Sequence, residues 1–95
     1  MRRKSCHDAN HKQVVHALER FGCRVVDLSR VGGGCADILV YRPSTGLLRL
    51  IEIKTAKGKL SEAQEAFRGR YPVWIARSEL AALLAMGIEA GEVFS

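Results

Sequence analysis

At 95 residues, 47% of them hydrophobic and 26% charged, the chain fits one globular domain whose core is thin, since a fold of this size buries only about 60–65% of its unfolded surface. Lys and Arg number 15 against 10 Asp and Glu, a net charge of +5 that favours a polyanionic partner, and no apolar run approaches the roughly 18 residues a membrane helix needs. Three cysteines, Cys6, Cys23 and Cys35, are an odd number at no framework spacing, which predicts reduced thiols in the cytoplasm and excludes a disulfide scaffold.

The start, Met1-Arg2-Arg3-Lys4-Ser5, is basic with no apolar stretch behind it, so residues 1–7 read as a flexible basic arm rather than a signal peptide. From about Asp8 to Phe21, the residues Val14, Val15, Leu18 and Phe21 recur at helical spacing, and Lys12, Gln13, His16, Glu19 and Arg20 face outward. Asp8 or Asn10 can cap this helix, Gly22 ends it, and His11 falls on its buried face. Cys23 to Leu28 reads as a short strand. The run Gly32-Gly33-Gly34 leads into a further strand, not a helix, and no Gly-Lys-Ser/Thr follows it. It therefore serves as a flexible connection or a close backbone approach, not a phosphate loop.

Asp37 to Tyr41 and Leu47 to Ile53 are apolar strands joined by Arg42-Pro43-Ser44-Thr45-Gly46, where Pro43 suits the second turn position and Gly46 can take a positive φ. A basic loop, Thr55-Ala56-Lys57-Gly58-Lys59, precedes a helix whose start has the capping-box pair Ser61 and Gln64, and which runs to about Arg68 before Gly69. Tyr71 to Ala76 is a strand. Ser78 opens a last helix through Leu80, Leu83, Leu84 and Met86, stopped by Gly87. The tail, residues 88–95, has no assigned element and offers apolar residues for a dimer contact. The order αβββαβα, with a strand-helix-strand unit at its end, predicts an α/β fold with a mixed sheet flanked by helices.

A four-residue loop from Pro43 to Gly46 sets Arg42 opposite Leu47, and in that register Asp37 lies opposite Glu52, with Cβ atoms about 4.5–5.5 Å apart. Glu52 and Lys54 then share a face, and Cys35 is the cross-strand neighbour of Lys54. Two opposed carboxylates on an apolar sheet repel each other and lose hydration unless a cation lies between them, and a divalent ion suits that place. A loop one residue longer or shorter would break this register.

Asp37 followed by Glu52-Ile53-Lys54 resembles the PD-(D/E)xK nuclease motif. The chain is most similar to the small VRR-NUC branch of that superfamily, over most of its length. A first helix, a Gly-rich turn into Asp37, a strand ending Ile51-Glu52-Ile53-Lys54, a Lys/Gly loop, and Leu60-Ser61 with Gln64 occur in the branch's order. An Asp and an E-x-K alone occur by chance in many proteins; the ordered combination is far more specific. The resemblance implies a restriction-endonuclease-like αβββαβ(α) fold and hydrolysis of DNA phosphodiesters with Mg2+ or Mn2+, ions that take hard oxygen ligands. Asp37 and Glu52 would hold the ion, with the Ile53 carbonyl as third ligand. Lys54 would orient the attacking water or stabilise charge, and Gln64 would act in the same site. Stand-alone members are viral or bacterial homodimers that cut branched DNA such as four-way (Holliday) junctions. The branch's Asp-x-Asn-Glu reads Asp8-Ala9-Asn10-His11 here, so His11 stands where the family has a metal-ligating Glu. That departure leaves weakened metal affinity, an altered metal preference and a partly disabled enzyme all open.

Each assignment has a structural rival. Gln64 is fully explained by a capping box, and Lys57, Lys59, Arg68 and Arg70 by a solvated face, although their position beside the site suits phosphate contact. Glu52 and Lys54 could be a solvated strand end or an internal ion pair, but Leu47-Leu48-Arg49-Leu50-Ile51 reads as a central strand, which favours function. Zinc on Cys6, His7 and His11 is rejected, because no second ligand pair follows at zinc spacing. A catalytically silent nucleic-acid-binding module and a non-specific nuclease remain as alternatives to the junction enzyme.

Overall fold

The first helix, α1 (His11–Arg20), buries Val14 and Leu18 of the stripe its periodicity marks, together with Ala17 and with His11 at its head, while Val15 and Phe21 are half-buried against the core. The computed structural model describes residues 10–94, so Cys6, His7, Asp8 and the basic arm lie outside the described residues. Asn10 occupies the N-cap position, but its side chain makes no cap; Nδ2 donates instead to the Lys54 carbonyl at 3.4 Å. The helix closes as expected at Gly22, where the Cys23 N–H reaches back to the Leu18 carbonyl at 3.0 Å.

The strands β1 (Arg24–Asp27), β2 (Ile38–Arg42), β3 (Leu47–Ile53) and β4 (Val73–Ala76) form one sheet in the order β1-β2-β3-β4. The first three are antiparallel, and β3 and β4 run parallel. The crossover that a parallel pair requires carries α2 (Glu62–Arg70). After β4 come α3 (Glu79–Ala85) and a short α4 (Ala90–Phe94). The α/β class, the mixed sheet and the element order agree with expectation, with α4 added. No described helix is long and apolar enough to cross a membrane.

The hairpin register is the predicted one. Arg42 pairs with Leu47 and Ile38 with Ile51, closed by the Gly46 N–H on the Arg42 carbonyl at 2.8 Å, and Gly46 takes a φ of 82°. Side-chain alternation sends Ile38, Val40, Ile51, Ile53 and Ala76 to one face, where they are buried with Val14, Leu18, Leu83, Met86 and Ile88. Burial of each large side chain there is worth about 1.5–3 kcal/mol. The second face is uneven: Leu48 is 60% exposed, whereas Glu52, four residues along the same strand, is 3% exposed. The N-terminus of α2 covers the Glu52 end.

Two boundaries and the tail differ from expectation. Gly69 lies inside α2 rather than ending it; the helix stops at Tyr71 because Pro72 forces the preceding residue into an extended conformation. Tyr71 therefore caps the helix and does not begin β4. The tail folds onto its own chain: Ile88 is fully buried, Val93 packs on the core, and Arg42 ties the segment down. Arg42 donates Nη1 to the Met86 carbonyl at 3.3 Å and sets Nη2 3.6 Å from Glu92 Oε1. Ile88 and Val93 thus serve this chain's own core, a role the sequence pattern leaves unassigned.

Candidate functional site

Asp37 stands immediately before β2. Its carbonyl accepts from the Leu28 N–H at 2.8 Å, which continues the β1–β2 ladder, while its side chain turns to β3 and accepts the Ile53 N–H on Oδ2 at 2.8 Å. That N–H points past the end of β2, so the carboxylate replaces a missing strand partner and is itself fixed in place. A strand residue directs its N–H and C=O to the same side, so the Ile53 carbonyl also faces Asp37. The other Asp37 oxygen, Oδ1, is engaged by no donor among the described residues.

Glu52 is a buried carboxylate whose Oε2 accepts from Gln64 Nε2 at 2.9 Å and lies 3.7 Å from Lys54 Nζ. Burying a charge is costly unless it is paired and hydrogen-bonded, and these two contacts supply that compensation. Lys54 is held through its main chain on both sides: its N–H donates to the Ala76 carbonyl at 3.0 Å, and its carbonyl accepts from Asn10. Gln64 is held by a complete capping box, its Oε1 accepting from the Ser61 N–H at 2.8 Å and its own N–H donating to Ser61 Oγ at 3.2 Å.

Asp37, Glu52, Ile53, Lys54 and Gln64 all line one cleft of about 210 Å³, with Gly34, Cys35 and Ser61 among its walls. Gly34 lets the first turn of α2 come this close. It has a φ of 81°, and a Cβ there would run into the Ala63 carbonyl and the Gln64 nitrogen. Of the two uses open to the glycine run, close backbone approach is the one found at this position. Burial pushes the Cys35 thiol up, and the Glu52 and Asp37 charges add to this against an opposing hydrogen bond from the Ala36 backbone. Cys35 is therefore a protonated wall of the cleft at neutral pH.

The donor set fits a hard divalent cation. Two carboxylates on facing strand ends and a main-chain carbonyl are the oxygen ligands such ions take, and a protonated thiol does not compete. His11 does not join them. It is 3% exposed on α1 and lines a different groove, with Val15, Val25 and Asp27, and no group of three or more His, Cys, Asp or Glu among the described residues is placed to hold a metal. Lys57 and Lys59 are exposed on the loop between Lys54 and Ser61. Arg68 and Arg70 are exposed in the last turn of α2, roughly 6–9 Å further along the helix axis than Gln64. The four basic residues thus form two groups, one on the loop between two cleft residues and one a turn or more down α2, and none of the four lines the cleft itself.

Two residues at the site were not assigned to it from the sequence. Asn10 reads as a cap, and nothing local marks its reach to Lys54. Arg77 is a lone exposed arginine after a strand, yet its Nη1 donates to the carbonyls of Thr55, Ala56 and Gly58. No protein-family model, curated protein or solved structure matches the chain.

Proposed function

We propose that the chain is a divalent-metal-dependent DNA endonuclease of the VRR-NUC type. It hydrolyses phosphodiester bonds, selects branched DNA such as four-way junctions, and acts as a homodimer in the cytoplasm of a bacterial cell or phage-infected host. The observation that carries this reading is the convergence, in one cleft, of opposed Asp37 and Glu52 with Ile53, Lys54 and Gln64. The order of these residues along the chain, matching the motif, supports it further. Bound Mg2+ or Mn2+ would lower the pKa of a water and neutralise charge on the scissile phosphate. Asp37 and Glu52 would hold the ion with the Ile53 carbonyl. Lys54 would place its ammonium on the attacking water or the phosphoryl oxygens, and Gln64 would keep Glu52 oriented. Lys57 and Lys59 supply positive charge for the DNA backbone, with Arg68 and Arg70 further out. A second copy can cover the apolar strip of Val26, Tyr41 and Leu48, which are 53%, 40% and 60% exposed on the sheet's second face. Two sites in such a dimer would make the paired nicks that junction resolution requires.

The test is a cleavage panel of four-way junction, flap and linear duplex with each metal, with Lys54→Ala as the blank. Junction nicking by the native chain and none by the variant is the expected result; equal cleavage by both removes the site assignment, and equal cutting of all three substrates favours a non-specific nuclease.

A second reading is a silent nucleic-acid-binding module of the same fold, and the placement of His11 in another groove favours it, because among the described residues the metal then finds two carboxylates and no third protein side chain of the family's kind. Calorimetry with Mn2+ and Mg2+ separates the two readings. Binding that disappears in Glu52→Gln supports the enzyme. No binding by the native chain, and none restored by His11→Glu, supports the silent module.

A further inference from the structure

Three main-chain carbonyls converge on one side chain beside the cleft. Arg77, the first residue after β4, donates Nη1 to the carbonyls of Gly58 at 2.6 Å, Thr55 at 2.8 Å and Ala56 at 3.4 Å. These belong to the loop that joins Lys54 at the end of β3 to Ser61 at the start of α2. The loop's own closure is a single turn bond, from the Gly58 N–H to the Thr55 carbonyl at 3.1 Å. A guanidinium is a charged donor with fixed geometry, so its bonds to carbonyls are stronger than neutral ones and reinforce a turn that closes itself with that one bond.

The clamped turn bears on Lys54. A Cβ placed on Gly58 would lie 3.3 Å from Lys54 Cδ and 3.2 Å from Thr55 Oγ1, so the Gly58 backbone forms the wall along which the Lys54 stem runs. Ala76, the residue before Arg77, accepts the Lys54 N–H at 3.0 Å. The end of β4 therefore holds Lys54 twice, its main chain through Ala76 and its stem through Arg77 and the turn.

We propose that Arg77 is a positioning residue for Lys54: it clamps the Thr55–Gly58 turn, and the clamped turn keeps the Lys54 ammonium beside Glu52. This rests on the nuclease reading for its consequence in catalysis, but not for the geometry itself. The rival role for an exposed arginine here is direct contact with a DNA phosphate.

The experiment uses the full chain with a four-way junction and Mg2+, and compares Arg77→Met, Arg77→Lys and Gly58→Ala. Arg77→Met should lower kcat by about 10–100-fold with little change in KM, as loss of a supporting contact does. Arg77→Lys, whose ammonium carries three donors, should recover much of that loss. Gly58→Ala keeps the Arg77 side chain and its carbonyl acceptors but crowds the Lys54 stem, so it should also lower kcat, and it keeps the test open if Arg77→Met folds poorly. In parallel, the Lys54 side-chain methylene resonances, assigned by their absence in Lys54→Ala, should move in both Arg77→Met and Gly58→Ala. A raised KM at unchanged kcat, with the salt slope of binding reduced by about one, would make Arg77 a phosphate contact and overturn the proposal. Unmoved Lys54 resonances would overturn it as well. If the native chain cleaves nothing, the nuclease reading fails, and the resonances still decide the role of Arg77.

Discussion

Gln64 and Glu52 are joined by one hydrogen bond, Nε2 to Oε2 at 2.9 Å, whose direction is dictated from elsewhere. The Ser61 N–H can only donate, so it takes the Gln64 oxygen at 2.8 Å and leaves the amide nitrogen to face the carboxylate. The start of a surface helix is thereby coupled to a buried charge, and the capping and site roles of Gln64 belong to one side chain.

Gln64→Glu separates those roles. Glu is the other residue of the capping box, so the helix start is retained, but a carboxylate then meets Glu52. We expect a loss of about 1–3 kcal/mol from removal of a hydrogen bond to a charged group, read as a lower urea midpoint without metal. An unchanged midpoint would confine Gln64 to capping.

Gly34→Ala and Gly33→Ala form a matched pair. Both glycines have positive φ, 81° and 66°, but a Cβ on Gly33 meets nothing within 4 Å, whereas one on Gly34 collides with the backbone of α2. Gly33→Ala should cost only the left-handed backbone penalty of about 1–2 kcal/mol. Gly34→Ala should cost more and shift the Gln64 side-chain amide resonances, which Gly33→Ala leaves in place. Equal midpoints for the two would mean that α2 moves away without cost.

Asp37→Asn retains an oxygen that can accept the Ile53 N–H and removes the charge. Its urea midpoint should stay near the native value while calorimetric Mn2+ binding and junction nicking are lost. Asp37→Ala also strands the Ile53 N–H, at a further cost of about 1–3 kcal/mol. Native-like metal affinity in Asp37→Asn would remove Asp37 from the proposed ligands.

Cys23 sets a pH dependence. Burial pushes its thiol up, with Arg42 pulling the other way by a smaller amount. The folded chain keeps its proton to higher pH than the unfolded one. Stability from this group is therefore whole below the ordinary thiol range and declines as pH rises through and above it. Urea midpoints between about pH 7.5 and 10 should fall less steeply for Cys23→Ala than for the native chain.

The hairpin was legible because its determinants are local: Pro43 and Gly46 define a four-residue turn, and alternation then settles which residue faces which. The end of α1 at Gly22, the Ser78 start of α3, the Ser61 and Gln64 box, and the burial of His11 on its helix face were legible for the same reason, whereas the start of α1 was not: Asn10 makes no side-chain cap. The stop of α2 was misread at Gly69 because an exposed glycine is tolerated within a helix; Pro72 was the stronger signal, through its effect on Tyr71. Which groove His11 lines was not legible, since that depends on how α1 lies against β1.

By itself the sequence determined what period and turn chemistry control: the α/β order, the strand register, and hence the pairing of Asp37 with Glu52 and the placing of Lys54 on the Glu52 face. Only the tertiary structure decided what long separations control: Asn10 on the Lys54 carbonyl, Gly34 against Ala63, Ile88 in its own core, and Arg77 on the loop behind Lys54. A turn or a strand constrains neighbours through bond geometry, and that is written residue by residue. A contact across tens of residues exists only once packing has brought two elements together, and no local pattern carries that distance.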